Sequence, residues 1–289
     1  MVADPHTRSL GEALAGASAE AGGDAVLALM EPRATDGTEP PEPVAAALAA
    51  TDVFIAPTSR SLSHTQARKR ASEGGARGAT MPGATADMLA RVMDVDFGVL
   101  RERSRAVAAL LDESDEARLT CPRGSDLGLD LSGRPGIPDD GDLTAPHAFG
   151  NLPCGEGFIA PVTGAGTLAA ASLATVGLAA DPAMLRVDEG QLIDASGPEG
   201  EQFIARLRAH GRAGTNLAEL GVGTNDRATL TGNVLEDEKI LGTVHVAFGA
   251  SAGIGGTVAV PIHLDCVVLE PTLHVGGTIV LERGRYALA

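Results

Sequence analysis

The sequence predicts a mixed α/β chain in two lobes: an N-terminal three-layer α/β lobe with a mostly parallel sheet, and a C-terminal β-rich α+β lobe. Three observations carry this. Strand-like and helix-like segments alternate through the first 116 residues, the rhythm of parallel strands joined by helical crossovers. From Ala117 onward the texture changes to short β-rich segments punctuated by glycine and proline. Two of the late segments alternate histidine or aspartate with apolar residues, the period of a strand with two unlike faces. The expected lobes are residues 1–116 and 117–289.

In order along the first lobe, Leu10 to Ala21 reads as a helix, Ala25 to Met30 as a buried strand, Glu42 to Ala50 as a helix and Asp52 to Ala56 as a second strand. Pro57 ends that strand. Ser61 to Arg70 begins a helix whose N-terminal serines are expected to cap its free N–H groups. Arg77 to Met81 reads as a third strand, and Thr85 to Glu113 as one long helical region with apolar residues at three-to-four spacing. In the second lobe, Arg118 to Cys121, Leu127 to Leu131, Phe158 to Pro161, Ala174 to Gly177 and Leu185 to Asp194 read as strands, and Pro198 to His210 as the interrupting helix. Thr243 to Phe248, Ile262 to Leu269 and Thr278 to Glu282 close the chain as strands, while Arg134 to Asp140 reads as a loop.

A net charge of −16 with no basic patch argues against a nucleic-acid surface, because phosphate binding needs concentrated positive charge. No stretch approaches the roughly 20 apolar residues of a membrane-spanning helix. Cys121, Cys154 and Cys266 are odd in number and lack a CxxC spacing, so neither a disulfide framework nor a thiolate zinc site is expected, and a reducing cytoplasm is the expected setting. Lys69 and Lys239 are the only lysines among basic residues that are otherwise arginine.

The chemistry concentrates late in the chain. Along Thr243-Val-His-Val-Ala-Phe248, alternation puts His245 on the face opposite Val244, Val246 and Phe248. Along Ile262-His-Leu-Asp-Cys266, His263 and Asp265 share one face and the apolar residues the other. If these strands are neighbours, two imidazoles and a carboxylate converge, a ligand set suited to open sites for Zn²⁺, Mn²⁺, Co²⁺ or Fe²⁺. Glu156 and Glu219 stand among glycine and apolar residues, where an unpartnered carboxylate is costly, so each needs a cation or a salt-bridge partner. The run Glu236-Asp-Glu-Lys239 is the weaker pointer, since charged runs are usually solvated. No GxxxxGK[ST] phosphate loop is present.

Four ordered motifs, Asn151 to Pro161, Asn216 to Asn225, Leu235 to His245 and Ile262 to Asp265, together resemble the thermophilic metallo-aminopeptidase family of the aminopeptidase T and aminopeptidase S type. The likeness extends over about residues 50–289. It implies a two-metal hydrolase that removes N-terminal amino acids from peptides or cleaves a related small amide, with Glu156, Glu219, His245, His263 and Asp265 as ligands to Zn, Co or Mn. Glu156 or Glu238 would be the catalytic acid–base group, acting on a metal-activated water. It also implies a homodimer taking a small-molecule or short-peptide substrate. Two departures weaken this reading: the true peptidases are longer, and they carry a tyrosine where this chain has Ala250-Ser-Ala252. A second, shorter branch, the 2,5-dihydroxypyridine dioxygenases, supplies the alternative of a mononuclear Fe(II) ring-cleaving enzyme, with His245, His263 and Asp265 as its triad. The histidines those enzymes carry after the glutamate matching Glu156 are absent from Thr167 to Ala171. Outside these motifs, His64, Arg68 and His147 are candidates for substrate contact.

Overall fold

The computed structural model describes residues 1–288 and divides into two compact units, one of residues 1–94 and 141–154, the other of residues 95–140 and 155–288. The first opens with β1 (Val2–Ala3), α1 (Arg8–Glu20) and β2 (Ala28–Leu29), and continues through α2 (Glu42–Ala49), β3 (Val53–Ala56), α3 (Gln66–Glu73), β4 (Arg77–Thr80) and α4 (Ala86–Val92). The expected buried strand at Ala25 to Met30 shrinks to two partly exposed residues, which pair in parallel with β1 in a small sheet of their own. The cap of α3 is also different from expectation. Thr65, not a serine, accepts the Arg68 N–H at 3.2 Å, while Ser63 bonds to Thr80 Oγ1 at 2.6 Å.

The long helical region predicted from Thr85 to Glu113 is two helices, α4 and α5 (Phe97–Asp112). Each has its own cap, Thr85 for α4 and Asp96 for α5, and an N-cap takes non-helical backbone, so the two helices cannot fuse. This moves the boundary expected at residue 116. Helix α5 packs on β7 (Gly136–Asp139) and β9 (Glu156–Ile159), which follow β5 (Glu116–Thr120) and β6 (Asp126–Asp130) in the second unit. Between them the chain returns to the first unit for β8 (Phe149–Asn151), which extends β3 and β4 into a three-stranded parallel sheet. The segment Arg134 to Asp140, read as a loop, therefore contains an edge strand.

The second unit is one large antiparallel sheet, thirteen-stranded among the described residues. Its remaining strands are β10 (Thr163–Leu173), β11 (Gly177–Asp188), β12 (Gln191–Ala195), β13 (Leu217–Gly223), β14 (Val244–Gly249), β15 (His263–Val268), β16 (Thr272–Val275), β17 (Thr278–Glu282) and β18 (Arg285–Tyr286). Helix α6 (Gly197–Arg208) packs over β11 and β12, and two single-turn helices, α7 (Gly211–Gly214) and α8 (Val234–Asp237), lie in the connections flanking β13. Ala174 to Val176, expected within a strand, is the turn between the long hairpin strands β10 and β11; Thr175 there holds φ 65°. The central strands run in the order β10-β15-β14-β13-β9-β7. Leu220, Val222, Val244, Val246, Phe248, Leu264, Cys266 and Val268 form one apolar face of this run within the main core. At roughly 1.5–3 kcal/mol per fully buried side chain, that face pins the register, and a one-residue slip would exchange it with the opposite face. Among the described residues no helix is long and apolar enough to cross a membrane.

Candidate metal centre

The opposite face of the same strands carries the polar site. Cross-strand pairs Gly221 with His245, Ala247 with Asp265 and Gly249 with His263 bring both histidines and the aspartate to one side of β14 and β15, as alternation predicts. Glu219 joins them from β13 and Glu156 from β9, where it sits opposite Gly223. A β-bulge at Ala218 turns Leu217 into the core while Glu219 faces the site, which strict alternation would not allow. Gly221 makes room for the His245 ring, because a Cβ there would collide with its Nε2, Cε1 and Cδ2 atoms.

His245 is fully buried, so the face it occupies is closed off from solvent as well as from the core. Its Nε2 lies 3.3 Å from Glu219 Oε1 and 3.1 Å from Glu156 Oε2. His263 Nε2 lies 3.3 Å from Glu219 Oε2 and 3.6 Å from Asp265 Oδ1. The Glu219 carboxylate thus stands between the two imidazoles, one oxygen toward each. Two trios of donor atoms follow, Glu156–Glu219–His245 and Glu219–His263–Asp265, with every pair inside a trio within 4.8 Å; Glu219 belongs to both, and neither trio contains both histidines.

These residues suit a cation. His263 Nδ1 donates to the Ala250 carbonyl at 2.7 Å, which leaves Nε2 either a lone pair aimed at two carboxylates or a second proton. A lone pair facing acid oxygens is repulsive, and a metal ion removes the conflict. The buried His245 Nδ1 has no hydrogen-bond partner among the described residues. Burial alone would lower the basicity of both imidazoles, but Glu156 and Glu219 beside His245, and Asp265 and Glu219 beside His263, outweigh it and raise both well above the ordinary histidine range. Burial pushes Glu219 the other way from its neighbours, whose hydrogen bonds and charge prevail and hold it well below the ordinary carboxylate range.

The run Glu236 to Lys239, expected to be solvated, is wholly buried. Glu236 accepts from Thr229 N and Oγ1 at 2.8 and 3.1 Å, and Asp237 from Thr231 N at 2.7 Å, Gly232 N at 2.9 Å and Ser172 Oγ at 2.6 Å, so these two acids tie down their own loop. Glu238 and Lys239 face the site. Lys239 Nζ reaches Glu156 Oε1 at 2.6 Å, Glu238 Oε1 at 2.8 Å and Asp139 Oδ2 at 3.5 Å. Gly223 admits this segment, since a Cβ there would strike the Ile240 carbonyl, and Asn225 N bonds to the Lys239 carbonyl at 2.9 Å. Burial raises Asp139 to about 7 and Glu238 to about 8 against the opposing pull of Lys239. Sequence reasoning missed Asp139, taken as part of a loop, and left Lys239 as a bare oddity of composition; the scarcity of lysine was the one signal available for it. The candidates His64, Arg68 and His147 belong to the first unit, where Arg68 Nε donates to Ser63 O at 2.8 Å and stacks over Phe149, and His147 Nδ1 pairs with Ser72 O at 2.6 Å.

A family model for NicX, 2,5-dihydroxypyridine 5,6-dioxygenase, matches residues 23–288. The chain belongs to this family. Among solved structures, the 2,5-dihydroxypyridine dioxygenase from Pseudomonas putida KT2440 superposes with a TM-score of 0.83 at 17% identity, covering 100% of this chain and 91% of that one. Wild-type AmpT from Thermus thermophilus superposes with a TM-score of 0.67 at 16% identity, covering 99% and 93%. At these identities the two structures share the fold with this chain. No curated protein sequence matches it. The NicX match favours the dioxygenase alternative over the leading expectation from sequence, a metallo-aminopeptidase.

Proposed function

We propose that the protein is a mononuclear Fe(II)-dependent dioxygenase that opens the ring of a dihydroxypyridine-like aromatic. The observation that carries this reading is the NicX family match across residues 23–288, with a buried histidine–carboxylate cluster lying inside the matched span. Two imidazoles and one carboxylate are the donor set suited to ferrous iron with open positions. His245, His263 and Asp265 would hold the ion. When bound, iron supplies the redox chemistry that lets O₂ react with an electron-rich ring.

The chain's own residues do the rest. The Ala250 carbonyl fixes His263 so that Nε2 is the ligating atom. Glu219, between the two rings, keeps both imidazoles oriented. Glu238, raised by burial to about 8, is matched to take or return a proton near neutral pH and is the group we assign to moving the hydroxyl proton of a bound ring. Glu156 is less suited to that role because both its oxygens have close neighbours, Lys239 Nζ 2.6 Å from Oε1 and His245 Nε2 3.1 Å from Oε2, whereas Lys239 meets Glu238 at Oε1 alone, at 2.8 Å.

One observation favours the two-ion hydrolase instead, the pair of trios hinged on Glu219, as expected of a shared bridging carboxylate. The discriminating experiment loads the protein anaerobically with Fe²⁺ and then adds O₂ with 2,5-dihydroxypyridine. Equimolar loss of O₂ and of ring absorbance is expected. Hydrolysis of aminoacyl anilides by the Zn²⁺- or Co²⁺-loaded protein, without O₂ uptake by the iron form, would overturn the dioxygenase reading.

A further inference from the structure

We propose that Lys239 is a built-in cation that confines the site to a single divalent ion. The inference rests on the mononuclear reading above and deepens it by assigning the residue that keeps a second ion out.

The donor atoms by themselves could serve two positions, Glu156–Glu219–His245 and Glu219–His263–Asp265, sharing Glu219. What separates the two is their surroundings. Lys239, fully buried, places Nζ 2.6 Å from Glu156 Oε1, and the other oxygen of that carboxylate lies 3.1 Å from His245 Nε2. A dication at the first position would therefore face an ammonium across the width of one carboxylate, with little water to screen the repulsion. The same ammonium meets Glu238 Oε1 at 2.8 Å and Asp139 Oδ2 at 3.5 Å, so it places positive charge among the acids that a second ion would otherwise approach. The second position has no such competitor: the lysine makes no ion pair with Glu219 or Asp265 among the described residues. His245 Nε2 lies 3.3 Å from Glu219 Oε1, on the carboxylate that the two positions share.

Lys239 cannot swing away from this role. Its segment is fixed through Asn225 N to Lys239 O and Leu241 N to Asn225 O, both 2.9 Å. Any outward movement of its charge would leave Glu156, Glu238 and Asp139 buried together without a cation, which is costly.

The test equilibrates the metal-stripped full chain with Mn²⁺, counts bound ions by elemental analysis after gel filtration, and records the Mn²⁺ spin-resonance spectrum. Wild type should hold one ion with the spectrum of an isolated centre. Lys239→Met and Lys239→Gln, which remove the charge, should each hold two with a spin-coupled spectrum. A variant that folds only when Mn²⁺ is supplied and then holds two ions also supports the proposal. Two ions in wild type, or one ion in both variants, would overturn it while leaving the metal centre intact. Failure of both variants to fold even with Mn²⁺ present would overturn it as well, since a second ion should replace the lost charge. A wild-type chain that binds no Mn²⁺ or Fe²⁺ would sink the metal-centre reading itself.

Discussion

Two ends of one buried cluster are built on opposite principles. At the lysine end, Asp139, Glu156 and Glu238 surround an ammonium that the chain itself provides, and the protons that burial favours on Asp139 and Glu238 balance the rest without any ligand. At the histidine end, Glu219 and Asp265 face two imidazoles whose Nε2 atoms can satisfy them only by being protonated or by sharing a cation. Acids are buried at both, but only one end is complete on its own. Burial of charge therefore does not mark a metal site; burial of charge with its neutralising partner left to come from outside does.

The largest effect that would break this comparison falls at the histidine end. Replacing a second-shell partner of a metal ligand costs 10- to 100-fold in affinity, so His245→Ala should weaken Fe²⁺ binding by more than about 100-fold and abolish ring cleavage. Titration calorimetry and O₂ uptake check this; unchanged affinity would remove His245 from the ligand set. At the lysine end the loss should be in folding. Lys239→Met, without metal, should lower stability by about 3–5 kcal/mol in a denaturant melt, the cost of leaving buried acids unpaired. An unchanged midpoint would mean that end is not closed by its lysine.

A smaller effect tests how the ends are held apart. Gly221→Ala would drive a methyl into the His245 ring, and an overpacked site of this kind costs about 1–3 kcal/mol. The ring should shift and Fe²⁺ affinity fall, while the far-ultraviolet dichroism stays that of wild type.

The subtlest test is pH. Asp139 is raised from 3.8 to about 7 and Glu238 from 4.5 to about 8, so across that interval the native chain binds more protons than the unfolded one and stability falls as pH rises. The two histidines, raised from 6.5, contribute stability that is full below that pH and is lost on the alkaline side. Glu219, lowered from 4.5, contributes stability that is present above that value and is lost as pH falls. The thermal midpoint of the metal-free protein should therefore decline from about pH 5 to pH 9. Asp139→Asn should flatten the part of the decline below about pH 7. A flat profile in wild type would contradict the assigned shifts.

The faces of β14 and β15 were legible because alternation along a strand is a local property: His245, His263 and Asp265 fall on the side that Val244, Val246, Leu264 and Cys266 leave open. Other features were not. Alternation carries no sign of the bulge at Ala218, which depends on the partner strand. Four charged residues in a row read as surface, and the donors of Thr229, Thr231, Gly232 and Ser172, brought in by the fold, make burial of Glu236 and Asp237 tolerable. Asp139 reads as loop because its strand pairs only with β9, on the edge of the sheet.

By itself the sequence determined which side chains could bind an ion and on which strand faces they lie, since both follow from residue type and a period of two. Tertiary structure decided what each acid is neutralised by. Bringing Lys239 to Glu156, 83 positions apart in sequence, and Glu219 between His245 and His263, depends on the order and register of four strands, β9, β13, β14 and β15. Electrostatic partnership is a matter of ångströms in space, and no local pattern encodes it.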